Sequence, residues 1–240
     1  MNLQGKRVVV IGGTSGIGLA VAQGALEEGA EVVVGSSSAA KVEAAKARLA
    51  GAEAFTVDVK DDSSVVAFMA HVGALDHLVF TAGDWETFGG APIDRLDVAR
   101  AASVFAVRFW GALTAVKHAA PRMREGGSII LTDGMIAHRP RKGAAVSSAM
   151  AGAIEHLTRG LAVELAPIRV NAVCPGLIAT EVWAAIPESQ RQERWQRMTR
   201  RLPVPRIGQP SEAAAAYLYL MRGGYTTAQV LRVDGGQTAI

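Results

Sequence analysis

The sequence predicts an α/β fold: one Rossmann-type, doubly wound domain over residues 1–240, with about seven parallel strands flanked by helices. Short runs rich in β-branched residues alternate with Ala-rich helical stretches along the whole chain. These runs are apolar almost throughout, as expected of strands that helices cover on both faces. Short connections, with no linker, repeat or low-complexity segment, favour a parallel sheet in a single domain.

The predicted elements alternate strictly between strand and helix. The strands begin at Arg7, Glu31, Glu53, His77, Gly127, Arg169 and Val230. The helical patterns cover Gly16–Glu28, Ala39–Ala50, Ser63–Val72, Asp97–Met123, Ala144–Leu165, Glu188–Thr199 and Ser211–Met221. The last helix has a recognisable start in "GQPSEAAAAYLYL", where Ser or Pro precedes Glu212 in the first turn.

Composition narrows the classes of function. The net charge is only +3, whereas a protein that coats nucleic acid is strongly basic. The single cysteine, Cys174, cannot build a disulfide framework and suits a reducing cytoplasm. The amino terminus runs directly into a strand without the pattern of a signal peptide, and no apolar run is long enough to cross a bilayer. We therefore expect a cytoplasmic protein that binds neither nucleic acid nor membrane.

A glycine-rich turn follows the first strand. Gly12, Gly16 and Gly18 in "GGTSGIG" let the backbone turn tightly and approach a pyrophosphate. The helix that follows offers free N–H groups and the positive end of its dipole. Glycine spacing alone is a weak signal, but its position inside a βαβ unit strongly predicts dinucleotide binding.

The end of the second strand bears on the choice of cofactor. An NAD site usually places a carboxylate there for the ribose 2′-hydroxyl. Here Ser36 and Ser37 follow Gly35, and Lys41 comes soon after. Hydroxyl groups and an ammonium suit a 2′-phosphate, so the sequence favours NADP over NAD. A plain polar loop or a helix N-cap would also account for these serines.

Five motifs together resemble the short-chain dehydrogenase/reductase family over nearly the whole chain. They are "GGTSGIG" (12–18), "VDV" (57–59), "TAG" (81–83), "LTRGLAVELAPIRVNAVCPGLIAT" (157–180) and "VDGG" (233–236). Thr81 stands where the family usually has Asn. The resemblance implies contacts to adenine, ribose and nicotinamide from separate parts of the chain. With the turn and the serines, the implied cofactor contacts are Gly12, Thr14, Ser15, Ile17, Gly18, Ser36, Ser37, Asp58, Val59, Ala82, Gly83, Pro175, Gly176, Ile178 and Thr180.

The family's four catalytic positions carry other residues in this chain. By resemblance, the Tyr that acts as general acid falls on Ser147, and the Lys that lowers its pKa falls on Ala151. The Ser that steadies the substrate oxygen falls on Gly134, and the Asn of the long helix falls on Arg108. The spacing of thirteen between positions 134 and 147 is preserved, so a shift in register does not explain the replacements.

Other groups near the expected cleft are candidates for the chemistry. His138 is a candidate proton donor, because imidazole titrates near neutral pH, although histidines at such positions are more often simply exposed loop residues. Arg108 can stabilise an oxyanion or pair with Asp133. Ser147 remains a candidate without an evident base. Five scattered histidines and one cysteine predict no metal site.

Residues 183–206 lie where relatives have a mobile substrate lid. Arg191, Arg194, Arg197 and Arg201 recur there at helical spacing, which favours an anionic ligand, an interaction face or a solvated helix face. The resemblance also implies a homodimer or homotetramer. Two functions stay open: an NADP(H)-dependent oxidoreductase of unknown small-molecule substrate with a non-standard proton donor, or a non-catalytic NADP(H)-binding pseudoenzyme that acts as redox sensor or partner subunit.

Overall fold

Seven strands form one parallel sheet in the computed structural model, which describes residues 2–83 and 91–240. The strands are β1 (Arg7–Ile11), β2 (Glu31–Ser36), β3 (Glu53–Thr56), β4 (Leu75–Phe80), β5 (Met123–Thr132), β6 (Arg169–Pro175) and β7 (Val230–Val233). They lie in the order β3-β2-β1-β4-β5-β6-β7, and every neighbouring pair is parallel. The chain therefore winds outward in both directions from β1 and β4, which confirms the predicted Rossmann-type sheet.

Helices cover both faces of the sheet. They are α1 (Gly16–Glu27), α2 (Ala39–Arg48), α3 (Asp62–Val72), α4 (Val98–Ala102), α5 (Ala112–Ala119), α6 (Ala145–Glu164), α7 (Glu188–Thr199) and α8 (Pro210–Arg222). Glu212 explains the start of α8, because its carboxylate accepts the backbone N–H of Gln209 at 2.8 Å. No helix within residues 2–83 and 91–240 has the length and apolar character needed to cross a membrane.

The single helix predicted over Asp97–Met123 is wrong. The chain instead forms α4, a π-helical segment at Ala106–Gly111, and α5. The spacing of apolar residues does not show where the wider i→i+5 hydrogen bonds of a π turn replace those of an α-helix. The pattern therefore predicted one continuous helix. Such turns often occur at functional sites, and this one contains Arg108.

Alternate residues of each strand pack into two separate apolar layers. Along β1, Val9 and Ile11 point into the layer that α3, α5 and α6 cover, whereas Val8 and Val10 point into the layer under α1, α2 and α8. All four side chains are almost fully buried. This burial on both faces explains why the strands read as continuous apolar runs.

Arg169 at the start of β6 caps the carboxyl end of α8. Its guanidinium donates to the carbonyl oxygens of Leu220 at 2.8 Å, Met221 at 3.0 Å and Thr226 at 3.3 Å. Carbonyl groups in the last turn of a helix have no partner within the helix. A buried cation on β6 satisfies them here and thereby ties α8 to the sheet.

We predict that Arg169→Met lowers the free energy of unfolding by about 2–4 kcal/mol, because three carbonyl oxygens lose a charged donor. Urea unfolding followed by circular dichroism measures the change. Lys46→Met, which breaks an exposed ion pair with Glu43, serves as the control and should stay within about 0.5 kcal/mol of the wild type. Equal effects of the two substitutions would contradict the capping role.

Candidate functional site

The turn after β1 and the end of β4 approach each other closely at the carboxyl edge of the sheet. Gly12 has a φ of +91°, and a methyl group at its Cα would lie 2.5 Å from the backbone nitrogen of Ala82. A methyl group on Gly18 would overlap the carbonyl oxygen of Gly12 and the Thr81 hydroxyl. Neither position has space for a side chain, so both must be glycine. Together the two glycines form a backbone cradle at the crevice between β1 and β4.

The amino terminus of α1 faces this cradle. Ser15 occupies the N-cap position without a side-chain capping hydrogen bond, and the first turn of α1 contains no acidic residue. Backbone N–H groups at this end therefore have no carboxylate from their own turn. Such an end suits an anion, and the cradle fits the pyrophosphate of a dinucleotide.

The segment after β6 folds back onto the glycine turn. Thr180 is the link: its Cγ2 would lie 3.2 Å from a methyl group on Gly16. Gly176 donates its N–H to Val233 at 2.9 Å and leaves no room for a side chain against Asp234. The structure thus brings together four of the motifs that carried the resemblance, namely those at 12–18, 81–83, 157–180 and 233–236.

The serines after β2 have different surroundings. Ser38 is the N-cap of α2, because its hydroxyl accepts the N–H of Lys41 at 3.4 Å. Ser36 is partly buried and Ser37 is exposed, so both remain near the edge where β2 ends. Asp58, two residues after β3, accepts the N–H of Lys60 at 3.0 Å. The helix-capping account of the serines therefore holds for Ser38.

Arg108 is buried at the crevice rather than exposed on a helix face. Only 8% of its surface is accessible, and its Nη2 lies 2.7 Å from where a methyl group on Gly83 would stand. Burial lowers the pKa of the guanidinium to about 10, against the attraction of Asp133 and Tyr217. The group still carries its charge at neutral pH, directly behind the backbone that the resemblance assigns to the cofactor ribose.

One buried face of α6 points toward the same region. Ser147, Ala151 and Glu155 follow each other at intervals of four residues, and each is at most 8% exposed. Beside them, a methyl group on Gly134 would meet nothing within 4 Å, so open space lies where the resemblance places a serine side chain. The site therefore has room, a cation at Arg108 and a carboxyl group at Glu155.

His138 lies in the loop after β5, is partly exposed and contacts other side chains. Its Nε2 lies 2.5 Å from Oε1 of Glu155, and its Nδ1 lies 3.3 Å from the guanidinium of Arg232. Because arginine can only donate, we assign the ring proton to Nε2, where it faces Glu155. Its side chain is 21% exposed. That His138 itself protonates a substrate stays a prediction.

Asp133, Glu155 and Cys174 complete a cluster that the sequence did not reveal as a unit. One ligand atom each from Asp133, His138 and Cys174 lie within 4.8 Å of one another, which is compact enough to hold a metal ion. Burial raises the pKa of Asp133 and of the Cys174 thiol well above their usual ranges. Cys174 is fully buried, as predicted for a core residue. Glu155 could have been found as the third residue on the Ser147 face.

The segment 183–206 packs partly through its own basic residues. Arg191 lies over the ring of Trp195 at 5.4 Å, and Arg194 lies over the ring of Trp183 at 5.7 Å. The indole N–H of Trp183 donates to the carbonyl oxygen of Ile178 at 2.9 Å, which ties the segment to the loop after β6. Two of the four arginines predicted at helical spacing therefore pack against tryptophan rings. Arg197 and Arg201 are exposed.

Comparison with known proteins agrees with this geometry. Residues 12–238 match the family model described as enoyl-(acyl carrier protein) reductase. The chain is 35% identical to the short-chain dehydrogenase/reductase fsr5 of Gibberella fujikuroi, over 98% of this chain and 95% of the relative. The chain belongs to the short-chain dehydrogenase/reductase family. It is therefore a member of a family of oxidoreductases whose members act on small molecules.

Two solved structures of this family resemble the chain closely. A small-chain dehydrogenase in complex with NADPH superposes with a TM-score of 0.84 at 35% identity, covering 99% of this chain and 100% of the other. An NADPH-bound short-chain oxidoreductase from Pseudomonas aeruginosa PAO1, described as containing an atypical catalytic centre, gives 0.89 at 28% identity over 97% and 96% of the two chains.

We predict that Gly18→Ala abolishes measurable NADPH binding and destabilises the fold by about 1–3 kcal/mol, because the added methyl group forces β1 and β4 apart. Isothermal titration calorimetry and urea unfolding measure the two effects. Gln23→Ala, at an exposed position of the same helix, is the matched control and should change neither. Unchanged NADPH affinity in Gly18→Ala would show that the cradle does not hold the dinucleotide.

Proposed function

We propose that the protein is an NADP(H)-dependent oxidoreductase that acts on a small-molecule substrate without the tyrosine acid of its family. The observation that carries this proposal is the contact between Thr180 and the glycine turn at Gly16. It joins the segment that the resemblance assigns to the nicotinamide with the cradle that suits the pyrophosphate. A protein that needed only the adenine half of the cofactor would have no use for the nicotinamide segment.

Several features support NADP(H) as the cofactor. No carboxylate occurs from Gly35 to Lys41, so nothing in this stretch repels a 2′-phosphate. Two structural neighbours hold NADPH. Oε2 of Glu181 would lie 3.4 Å from a methyl group on Gly16, at the place where phosphates approach. We therefore expect the Glu181 side chain to turn away when the cofactor binds, because like charges repel.

The residues present favour charge stabilisation over the usual phenol chemistry. A bound NADPH would supply the hydride. Ser147 is too weak an acid to replace a tyrosine beside a lysine, and Ala151 has no charge to assist it. Arg108 offers a fixed cation where a negative oxygen develops, and a buried cation aimed at such an oxygen is a strong stabilising group. An iminium substrate carries a positive charge of its own, and a conjugated alkene delocalises the negative charge that develops, so either substrate reduces the stabilisation that the protein must supply.

The lid and the assembly are part of the same proposal. Residues 183–206, fixed through Trp183 to the loop after β6, form the substrate lid, and its exposed Arg197 and Arg201 favour an anionic substrate. Trp110 in the π-helical segment and Val163 on α6 are exposed apolar side chains, and they suit the face on which a homodimer or homotetramer forms. The single buried cysteine is consistent with a cytoplasmic protein.

We predict that the wild type binds NADPH more tightly than NADH and that Ser37→Asp reverses this preference by at least about tenfold. The added carboxylate repels the 2′-phosphate but can accept a hydrogen bond from the 2′-hydroxyl. Fluorescence titration with both cofactors measures the ratio of the two Kd values. Ser103→Asp adds the same charge beyond α4 and should leave the ratio unchanged. An equal effect of the two variants would contradict the assignment.

Single-turnover experiments test the proposed activity itself. Protein loaded with stoichiometric NADPH is mixed with a panel of carbonyls, iminium ions and conjugated enones, and the loss of NADPH absorbance is followed by stopped flow. We expect at least one class to oxidise the bound cofactor and Arg108→Gln to slow that step by about 10²–10³-fold. Tight NADPH binding without turnover across the panel would instead favour the pseudoenzyme, in which the replaced positions mark a sensor or partner subunit.

A further inference from the structure

Three side chains of the kinds that bind metal ions converge near the carboxyl ends of β5 and β6. Asp133 follows β5, His138 lies in the loop after it, and Cys174 belongs to β6. One ligand atom from each residue lies within 4.8 Å of the other two. No short spacing motif joins the three residues, which is why the sequence predicted no metal site. Tertiary packing alone brings a carboxyl group, an imidazole and a thiol together.

Hydrogen bonds do not satisfy the polar atoms of this cluster. Asp133 is only 2% exposed, and no hydrogen bond of regular geometry reaches either of its carboxyl oxygens within residues 2–83 and 91–240. The same holds there for Nε2 of His138 and Oε1 of Glu155, although these two atoms lie 2.5 Å apart. Buried polar atoms normally have a partner, so four such atoms at one place point to a missing ligand.

The charges around the cluster favour a divalent cation. Asp133 interacts directly with the carboxyl group of Glu155 and with the thiol of Cys174. Three ionised acidic groups cannot be buried together without compensating positive charge. Arg108 interacts with Asp133 and supplies one positive charge. A divalent ion would supply the other two, and the fully ionised cluster would then be neutral as a whole.

We propose that Asp133, His138 and Cys174 bind a Zn²⁺ ion that holds the segment after β5 against β6. A thiolate and an imidazole favour zinc over calcium and magnesium, which prefer oxygen ligands. The thiol of Cys174 gives its proton to solvent when the ion binds, because only the thiolate is a ligand. Glu155, in contact with the His138 ring, orients the imidazole. This site needs no nicotinamide cofactor and goes beyond the proposed activity.

Arg232 opposes the ion in the structure described above. Its guanidinium lies 3.3 Å from Nδ1 of His138. An ion on Nδ1 would take the lone pair that Arg232 now faces. An ion on Nε2 would leave the ring proton on Nδ1, facing a group that can only donate. Arg232 must turn away in both cases, and it is free to do so because it is exposed. The side chain of His138 is 21% exposed, which gives an ion a route from solvent.

Zinc binding is measured on the purified protein after a chelator has removed bound metal. Competition with a chromophoric zinc indicator should show one tightly bound equivalent. Zn²⁺ should also raise the thermal unfolding midpoint, because a ligand of the folded state stabilises it. Co²⁺ in place of Zn²⁺ should give the near-ultraviolet absorption of a cobalt–thiolate bond. Cys174 is the only cysteine of the chain, so this band reports on the proposed site alone.

Substitutions at the site should change zinc affinity in opposite directions. Cys174→Ser and Asp133→Asn should each weaken Zn²⁺ binding by at least about 100-fold, since loss of an outer partner alone costs about 10–100-fold. Arg232→Gln should tighten it by at least about threefold, because a competing cation is removed. A gain in affinity cannot come from misfolding. His71→Gln removes an exposed imidazole from α3 and should leave the affinity unchanged.

Three outcomes would overturn the proposed zinc site. One is the absence of a cobalt–thiolate band in the wild type. Another is equal Zn²⁺ affinity in the wild type and Cys174→Ser, which would mean that surface groups bind the ion. The third is weaker Zn²⁺ binding in Arg232→Gln. NADPH titration of the metal-free wild type keeps the two proposals apart: failure to bind NADPH would refute the proposed function and leave the zinc site standing.

Discussion

The parallel arrangement of all seven strands determines where the strand-end segments of the site lie. Because each strand runs in the same direction, all the segments that leave β1, β4, β5 and β6 emerge at one edge of the sheet. The glycine turn, the 81–83 segment, Asp133 and the loop after Cys174 therefore meet without any of them being close in sequence. Apolar layers on both faces keep the strands in register, so the edge is fixed before any side chain at the site is considered.

Within that frame, the crevice between β1 and β4 leaves almost no space. Gly12 and Gly18 are required because an added methyl group would overlap neighbouring atoms of the 12–18 and 81–83 segments. Arg108 packs against Gly83. A cation held behind the crevice acts on whatever binds in front of it, because the low-dielectric interior screens the charge weakly. The tight glycine turn and the buried cation beside Gly83 are consequently two results of one packing arrangement.

Local patterns in the sequence predicted the fold well, and the glycine turn lies at the sheet edge where the sequence placed it. The helix at Glu188–Thr199 and the strand starts at Arg7, Glu31 and Arg169 agree with the structure, because each depends on periodicity and on neighbours within a few residues. The Asp97–Met123 helix was predicted wrongly, because the spacing of apolar residues does not reveal a π turn. The contact of Glu155 with His138 and Asp133 joins residues up to 22 positions apart across three elements. Long-range proximity of this kind depends on tertiary packing and is not encoded in any short pattern.

The π turn at Ala106–Gly111 also changes the angular phase of the chain that follows it. Each residue of an α-helix advances about 100° around the axis, so one wide turn offsets everything after it by a comparable rotation. Ala112, Ala115, Val116 and Ala119 are thus aligned with the core independently of the residues before the turn. Arg108 can face the crevice while α5 presents an unbroken apolar side to the sheet, two orientations that a regular helix through both segments could not satisfy together.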